Sequence, residues 1–190
     1  DAIGRGALEA LGVDFELGLD DLAARGNFCT VDDGGCITDR RAGRLPTESS
    51  RKLAEMLRGI RVPGVTFFVE PVKEHRFAFI ARAPGLGDAL TETDPLKTGV
   101  PTLPVRALNS ESERAAGFVN LFLDQARCLL VDQQPANMIT LRGFNKLPVV
   151  PTFDKRYGLH AASIAVNGMY PGVSKLAGIG VLPLPGETIS

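Results

Sequence analysis

The sequence predicts an α+β fold: a two-layer α/β sandwich built as a ferredoxin-like plait (β-α-β-β-α-β). A C-terminal βαβ-like segment follows it and belongs to a larger α/β core. Three observations predict this. Two amphipathic helical stretches flank a pair of alternating strands, and one further strand stands before and after them, which is the split βαβ order. Such an order places both helices on one face of an antiparallel sheet. The final strand–helix–strand unit has no sheet of its own to join, and alone it cannot bury both faces.

Residues 1–24 read as an entry segment. Ala7–Leu11 make one or two helical turns stopped by Gly12. Val13, Phe15 and Leu17 alternate like a short strand, and Leu19–Leu22 form a turn. Residues 25–150 hold the plait. It opens on a hairpin in which Phe28, Thr30 and Val31 run into Asp32-Asp33-Gly34-Gly35, and Cys36-Ile37-Thr38 return as the plait's first strand. Pro46-Thr47-Glu48 begins a helix with Thr47 as the N-cap, and Leu53, Met56, Leu57 and Ile60 give it one apolar stripe. Val65–Glu70 and Arg76–Arg82 alternate as an antiparallel pair joined by Pro71–Glu74. Residues 83–109 carry four prolines, three glycines and no periodicity, the mark of a loop that is either functional or disordered. Ser110 with Glu113 forms a capping box, and Ala115, Phe118, Val119, Phe122, Ala126, Leu129 and Leu130 share the face of the second helix. Asn137–Arg142 is the last plait strand. Residues 151–190 return the chain to the core: His160–Val166 as a strand, Gly172–Ala177 as a helix and Ile179–Leu184 as a strand.

Composition narrows the function. The apolar share of 44% and charged share of 23% are those of an ordinary soluble globular protein, and a cytoplasmic location is expected from cysteines that read as reduced. No apolar run reaches the roughly 18 residues that a membrane helix needs. A net charge of -1, no Trp and two Tyr leave no basic, aromatic-studded face for nucleic acid. Asp1 is not an initiator methionine and no signal pattern follows it, so the chain reads as a piece of a longer protein. Three cysteines, Cys29, Cys36 and Cys128, lack metal spacing and are expected reduced. Only His75 and His160 are present, neither at ligand spacing from an acid or cysteine, so no metal site is expected within these residues. There is no G-x-S-x-G and no dinucleotide fingerprint.

The densest chemistry lies around the hairpin. Folding it back brings Arg25 toward Arg40, Arg41 and Arg44, and guanidinium forks match phosphate or carboxylate oxygens two at a time. A solvated turn, salt-bridged to Asp32, Asp33 and Asp39, accounts for the same charges. His75 and Arg76 begin a strand near this hairpin, though Glu70 and Glu74 are there to neutralise them. Asp94 sits before Pro95 in the long loop, where it also serves as a turn initiator. Arg142 stands at a strand end beside Gly143, which permits close backbone approach.

The stretches GRGALEALG, ARGNFCTVDDG, DRRAGRLPTE, EHRFAFIARA, TETDP, PANMITLRG and YGLHAASIAVNGMYPGVSKLAGI occur in that order. Together they resemble the archaeal-type, cofactor-independent (2,3-bisphosphoglycerate-independent) phosphoglycerate mutases of the alkaline phosphatase superfamily. The resemblance implies a metal-bearing α/β core with a second domain inserted in it. It also implies two divalent ions (Mn or Zn/Mg) in that core and a phosphoenzyme route between 3-phosphoglycerate and 2-phosphoglycerate. The plait would be the inserted, substrate-clamping domain, with no catalytic residue of its own. By motif, Arg25, Asn27, Asp39, Arg40, Arg41 and Arg44 are the first substrate-binding residues, and His75, Arg76, Asp94 and Arg142 the second rank. Related sequences imply an alternative, the same architecture acting on another small phosphate metabolite in the manner of a homoserine kinase. A non-catalytic plait that binds an anion or a protein is the third reading. Core-facing strands at both ends predict a homodimer of the fragment.

Overall fold

A computed structural model of the chain describes residues 4–165 and 169–183. Its centre is a sheet in which β1 (Asp21–Val31) pairs antiparallel with β4 (Arg76–Arg82) on one side and with β5 (Met138–Asn145) on the other. β3 (Thr66–Lys73) pairs outside β4, and the short return β2 (Ile37–Asp39) pairs with the end of β1. The order β5-β1-β4-β3 is that of the plait. α2 (Thr47–Arg58) and α3 (Glu113–Leu130) both cover one face. Their apolar stripes meet Leu22, Ala24 and Phe28 of β1 and Phe67, Phe77 and Phe79 of β3 and β4 in one core. Leu129 alone among the expected α3 stripe remains exposed.

The first plait strand is therefore β1, not the hairpin's return. The reason is burial. β1 is covered on both faces, so Leu22-Ala23-Ala24 shows no apolar–polar alternation, and a central strand reads as a featureless apolar run. The expected turn at Leu19–Leu22 closes two residues earlier, and β1 starts inside the segment read as an entry. Val13, Phe15 and Leu17 form no strand. They alternate because they lie on the second sheet face, against Ala23, Ala78 and Ile80.

Two caps differ as well. Thr47 does not cap α2; its hydroxyl accepts from the Glu74 amide at 3.1 Å, tying the helix start to the β3–β4 turn. Asn109, not Ser110, caps the turn into α3, accepting from the Ser112 amide at 3.0 Å. The 83–109 loop lacks helices and strands, as expected, but it is pinned. Thr93 exchanges bonds with Leu141 (Leu141 N to Thr93 Oγ1, 2.7 Å), and Glu92 accepts from the Gly143 amide, so the loop covers the open edge of β5.

The second face of the sheet carries α1 (Arg5–Gly12), which in turn carries α5 (Met169–Leu176). Lys175 of α5 donates to the Leu11 carbonyl and pairs with Asp14. A short helix α4 (Phe153–Tyr157) leads to β6 (Ala162–Ser163), which pairs in parallel with β7 (Gly180–Val181). The return unit is thus strand, helix and strand, each of different extent from expectation. Val166 and Leu184, the expected strand ends, lie outside the described residues. No described helix is long and apolar enough to cross a membrane.

Candidate functional site

Alternation along β1 decides which side chains meet. Ala24, Gly26 and Phe28 face the helical core, so Arg25 and Asn27 face the other side. On that side Asn27 is opposite Arg76 of β4, and Arg25 is opposite Arg142 of β5. α1 covers only part of this face. Beyond it a cavity of about 370 Å³ opens, lined by Arg25, Asn27, Arg40, Arg41, Arg44, Glu74, His75, Arg76 and Arg142. Eight of the ten residues singled out from the sequence line it.

The other two lie just behind and hold it. Asp94 is buried and accepts both forks of Arg40, at 3.1 and 2.8 Å, while Arg142 Nη1 stands 3.8 Å away. Burial alone would raise the Asp94 carboxyl. The Arg40 fork, the Leu96 amide and the charges of Arg40 and Arg142 overcome it and hold it below the usual range. Asp39 accepts from the Arg41 and Gly43 amides, at 2.8 and 2.6 Å, and these bonds keep its carboxyl low. They close a tight loop in which Ala42, Gly43 and Arg44 all take left-handed φ values. For Ala42 and Arg44 that backbone is strained, and Asp39 holds it.

Of two further acids at the site, Glu74 was read from the sequence only as a neutraliser of His75 and Arg76, and Glu9 was not foreseen. Glu74 lines the rim. Glu9 of α1 is fully buried and forms an ion pair with Arg25 Nη2. Its signal was present: Glu9 is the lone charge in Gly6–Val13, inside an otherwise apolar helix.

Six arginines face four carboxylates (Glu9, Asp39, Glu74, Asp94), so the site keeps an excess of two positive charges. Its interior is also unsatisfied. Among the described residues the Nε groups of Arg25, Arg76 and Arg142, the acceptors Asn27 Oδ1 and both Glu9 oxygens, and His75 Nδ1 are buried without hydrogen-bond partners, Glu9 having only its ion pair with Arg25. Buried donors left unpaired cost free energy, and oxygen acceptors placed in the cavity would satisfy the three guanidinium Nε groups. Burial first, then the Arg76 charge, depress His75 to about 4, so it is neutral near pH 7. Burial and the charges of Asp94 and Asp39 push the thiol of Cys29 up to about 12.

No three His, Cys, Asp or Glu side chains converge as a metal set among the described residues. His75 stands among arginines and His160 is exposed elsewhere. Among the described residues the lining offers no ligand set for a divalent ion, and its excess charge is positive.

A family model described as 2,3-bisphosphoglycerate-independent phosphoglycerate mutase matches residues 1–137. A Thermus thermophilus protein named probable 2,3-bisphosphoglycerate-independent phosphoglycerate mutase is 45% identical over 189 residues, which are 97% of this chain and 46% of the relative. One of the same name from Thermotoga maritima is 40% identical over 192 residues, 99% of this chain and 47% of its own. The solved cofactor-independent phosphoglycerate mutase from Thermoplasma acidophilum superposes with a TM-score of 0.74 at 31% identity. It covers 97% of this chain and 53% of that one. The chain spans about half the length of the curated relatives it matches.

Proposed function

The chain belongs to the 2,3-bisphosphoglycerate-independent phosphoglycerate mutase family, and from that premise we propose that its arginine pocket clamps phosphoglycerate while the phosphoryl group passes between neighbouring oxygens. The observation that carries this is the cluster of partnerless, buried guanidinium donors over an excess of positive charge. Phosphoglycerate brings a phosphate and a carboxylate, each a match for planar nitrogen pairs.

Each residue has a part in this reading. Arg40 and Arg142, backed by Asp94, form a pre-ordered pair on one wall. Arg41 and Arg44, on the loop held by Asp39, and Arg76 bring charge with no carboxylate partner of hydrogen-bond quality among the described residues. Neutral His75 and Asn27 supply hydrogen bonds at the floor. The phosphoryl group would pass to the nucleophile expected in the remaining half and return to the neighbouring oxygen, and holding the carboxylate between the two transfers keeps the glycerate oriented, which removes orientational entropy from the barrier.

The nucleophile and the two divalent ions expected of the family are proposed to come from the remaining half of the longer protein, and no step through them is assigned to these residues. The adjacency of α1 and α5 supports an inserted unit, since the chain would leave and re-enter a core at one place. Leu159, Ile164 and Leu182, exposed around the two-stranded parallel sheet, support the same reading, because parallel strands are ordinarily covered.

Arg41→Ala and Arg76→Ala in the intact protein test the proposal in an enolase-coupled mutase assay. Each should lower turnover efficiency roughly tenfold or more, the scale of one charged hydrogen bond. Unchanged kinetics in both variants would overturn it.

A further inference from the structure

We infer that Glu9 is the positioning residue that aims Arg25 into the pocket; the inference rests on the pocket being the anion site. Glu9 is fully buried, and Arg25 is the one group it pairs with among the described residues. The Arg25 side chain is itself 12% exposed and lines the cavity, with its Nε unpaired. A guanidinium offers five donors in a fixed fork. One carboxylate engages Nη2, while Nε stays unpaired in a side chain that lines the cavity.

Without that carboxylate Arg25 has reason to move. Its cross-strand neighbour is Arg142, and like charges directly opposite repel. Arg5 and Arg76 add positive charge from α1 and β4. Glu9 is the acid that offsets them, and its place is fixed from both sides. At Gly6 the helix approaches β1 so closely that a Cβ would stand 2.4 Å from the Ala23 carbonyl oxygen. On the outer side, Gly172 of α5 rests against the Leu8 carbonyl with equally little room. A helix seated this tightly delivers its carboxylate to one point, which is what a positioning group needs. Stability alone is a poor reason for such a pair, since buried ion pairs often contribute less than an apolar pair of the same volume.

A double-mutant cycle on the intact protein tests the inference, with 3-phosphoglycerate binding measured by titration calorimetry. Glu9→Gln should weaken binding roughly tenfold, as Arg25→Gln does, on the scale of one charged hydrogen bond. Glu9→Asp, which keeps the charge, should recover part of the loss. Glu9→Gln added to Arg25→Gln should weaken binding no further. The double variant buries a neutral pair, so it also serves if the single Glu9→Gln chain fails to fold. Additive losses, or a Glu9→Gln variant with unchanged affinity beside a weakened Arg25→Gln, would overturn the inference. An Arg25→Gln variant with unchanged affinity would overturn instead the placement of Arg25 in the anion site, and the inference with it.

Discussion

Replacing Asp94 by Asn removes the charge that backs one wall of the pocket while keeping its shape. Asp94 accepts both forks of Arg40 and the Leu96 amide at 2.9 Å. Asparagine keeps one acceptor oxygen and turns an NH₂ toward a guanidinium that can only donate. One charge-assisted bond is therefore lost, worth about 1.5–3 kcal/mol. The Arg40 side chain is 33% exposed, so solvent screening moves the figure toward the lower end. We expect a loss of about 2 kcal/mol at pH 7, read as a lower urea midpoint at unchanged slope. The pH dependence supplies the decisive arm. The Asp94 carboxyl is held lower in the folded chain than in the unfolded one. Its stabilisation is thus complete above the unfolded value of about 3.9 and is lost as pH falls through the folded value. Asparagine has nothing to titrate, so the gap between wild type and variant must close toward acid pH. A gap as wide in acid as at pH 7, or none at pH 7, would refute the reasoning.

Two further outcomes are expected. His75 binds its proton near 6.5 when unfolded and only near 4 when folded, so stability should decline as pH drops across that interval; His75→Gln should flatten this part of the urea-midpoint profile, and an unaltered profile would count against the buried, neutral imidazole. Gly26→Ala would place a Cβ 2.1 Å from the buried ring of Phe77, which already packs against Phe28 at a centroid distance of 4.9 Å; about 1–3 kcal/mol should be lost and the thermal midpoint should drop, whereas an unchanged midpoint would show that the ring yields freely.

The site was legible to the extent that its charges are local in sequence. Arg40, Arg41 and Arg44 lie within five residues of one another, beyond a turn signal that folds them toward Arg25. His75 and Arg76 follow a second turn. What the Asp94 carboxylate does was not legible, because its partner Arg40 lies 54 positions away and meets it only once the long loop is pinned along β5. Glu9 left a local signal, a lone acid in a short apolar helix, but its partner Arg25 is fixed only by the packing of that helix on β1.

By itself the sequence determined the α2 and α3 stripes, the β3–β4 pair, the plait order and the arginine-rich hairpin, since each rests on periodicity or turn chemistry within a short window. Tertiary structure decided the identity of the first strand, because a strand buried on both faces carries no alternation to read. It decided the caps as well, where Asn109 and the Thr47–Glu74 contact displaced the local choices. Above all it decided that Arg25, Asn27, Arg76 and Arg142 share a face, because the register of three strands, not the spacing along any one of them, places their side chains together.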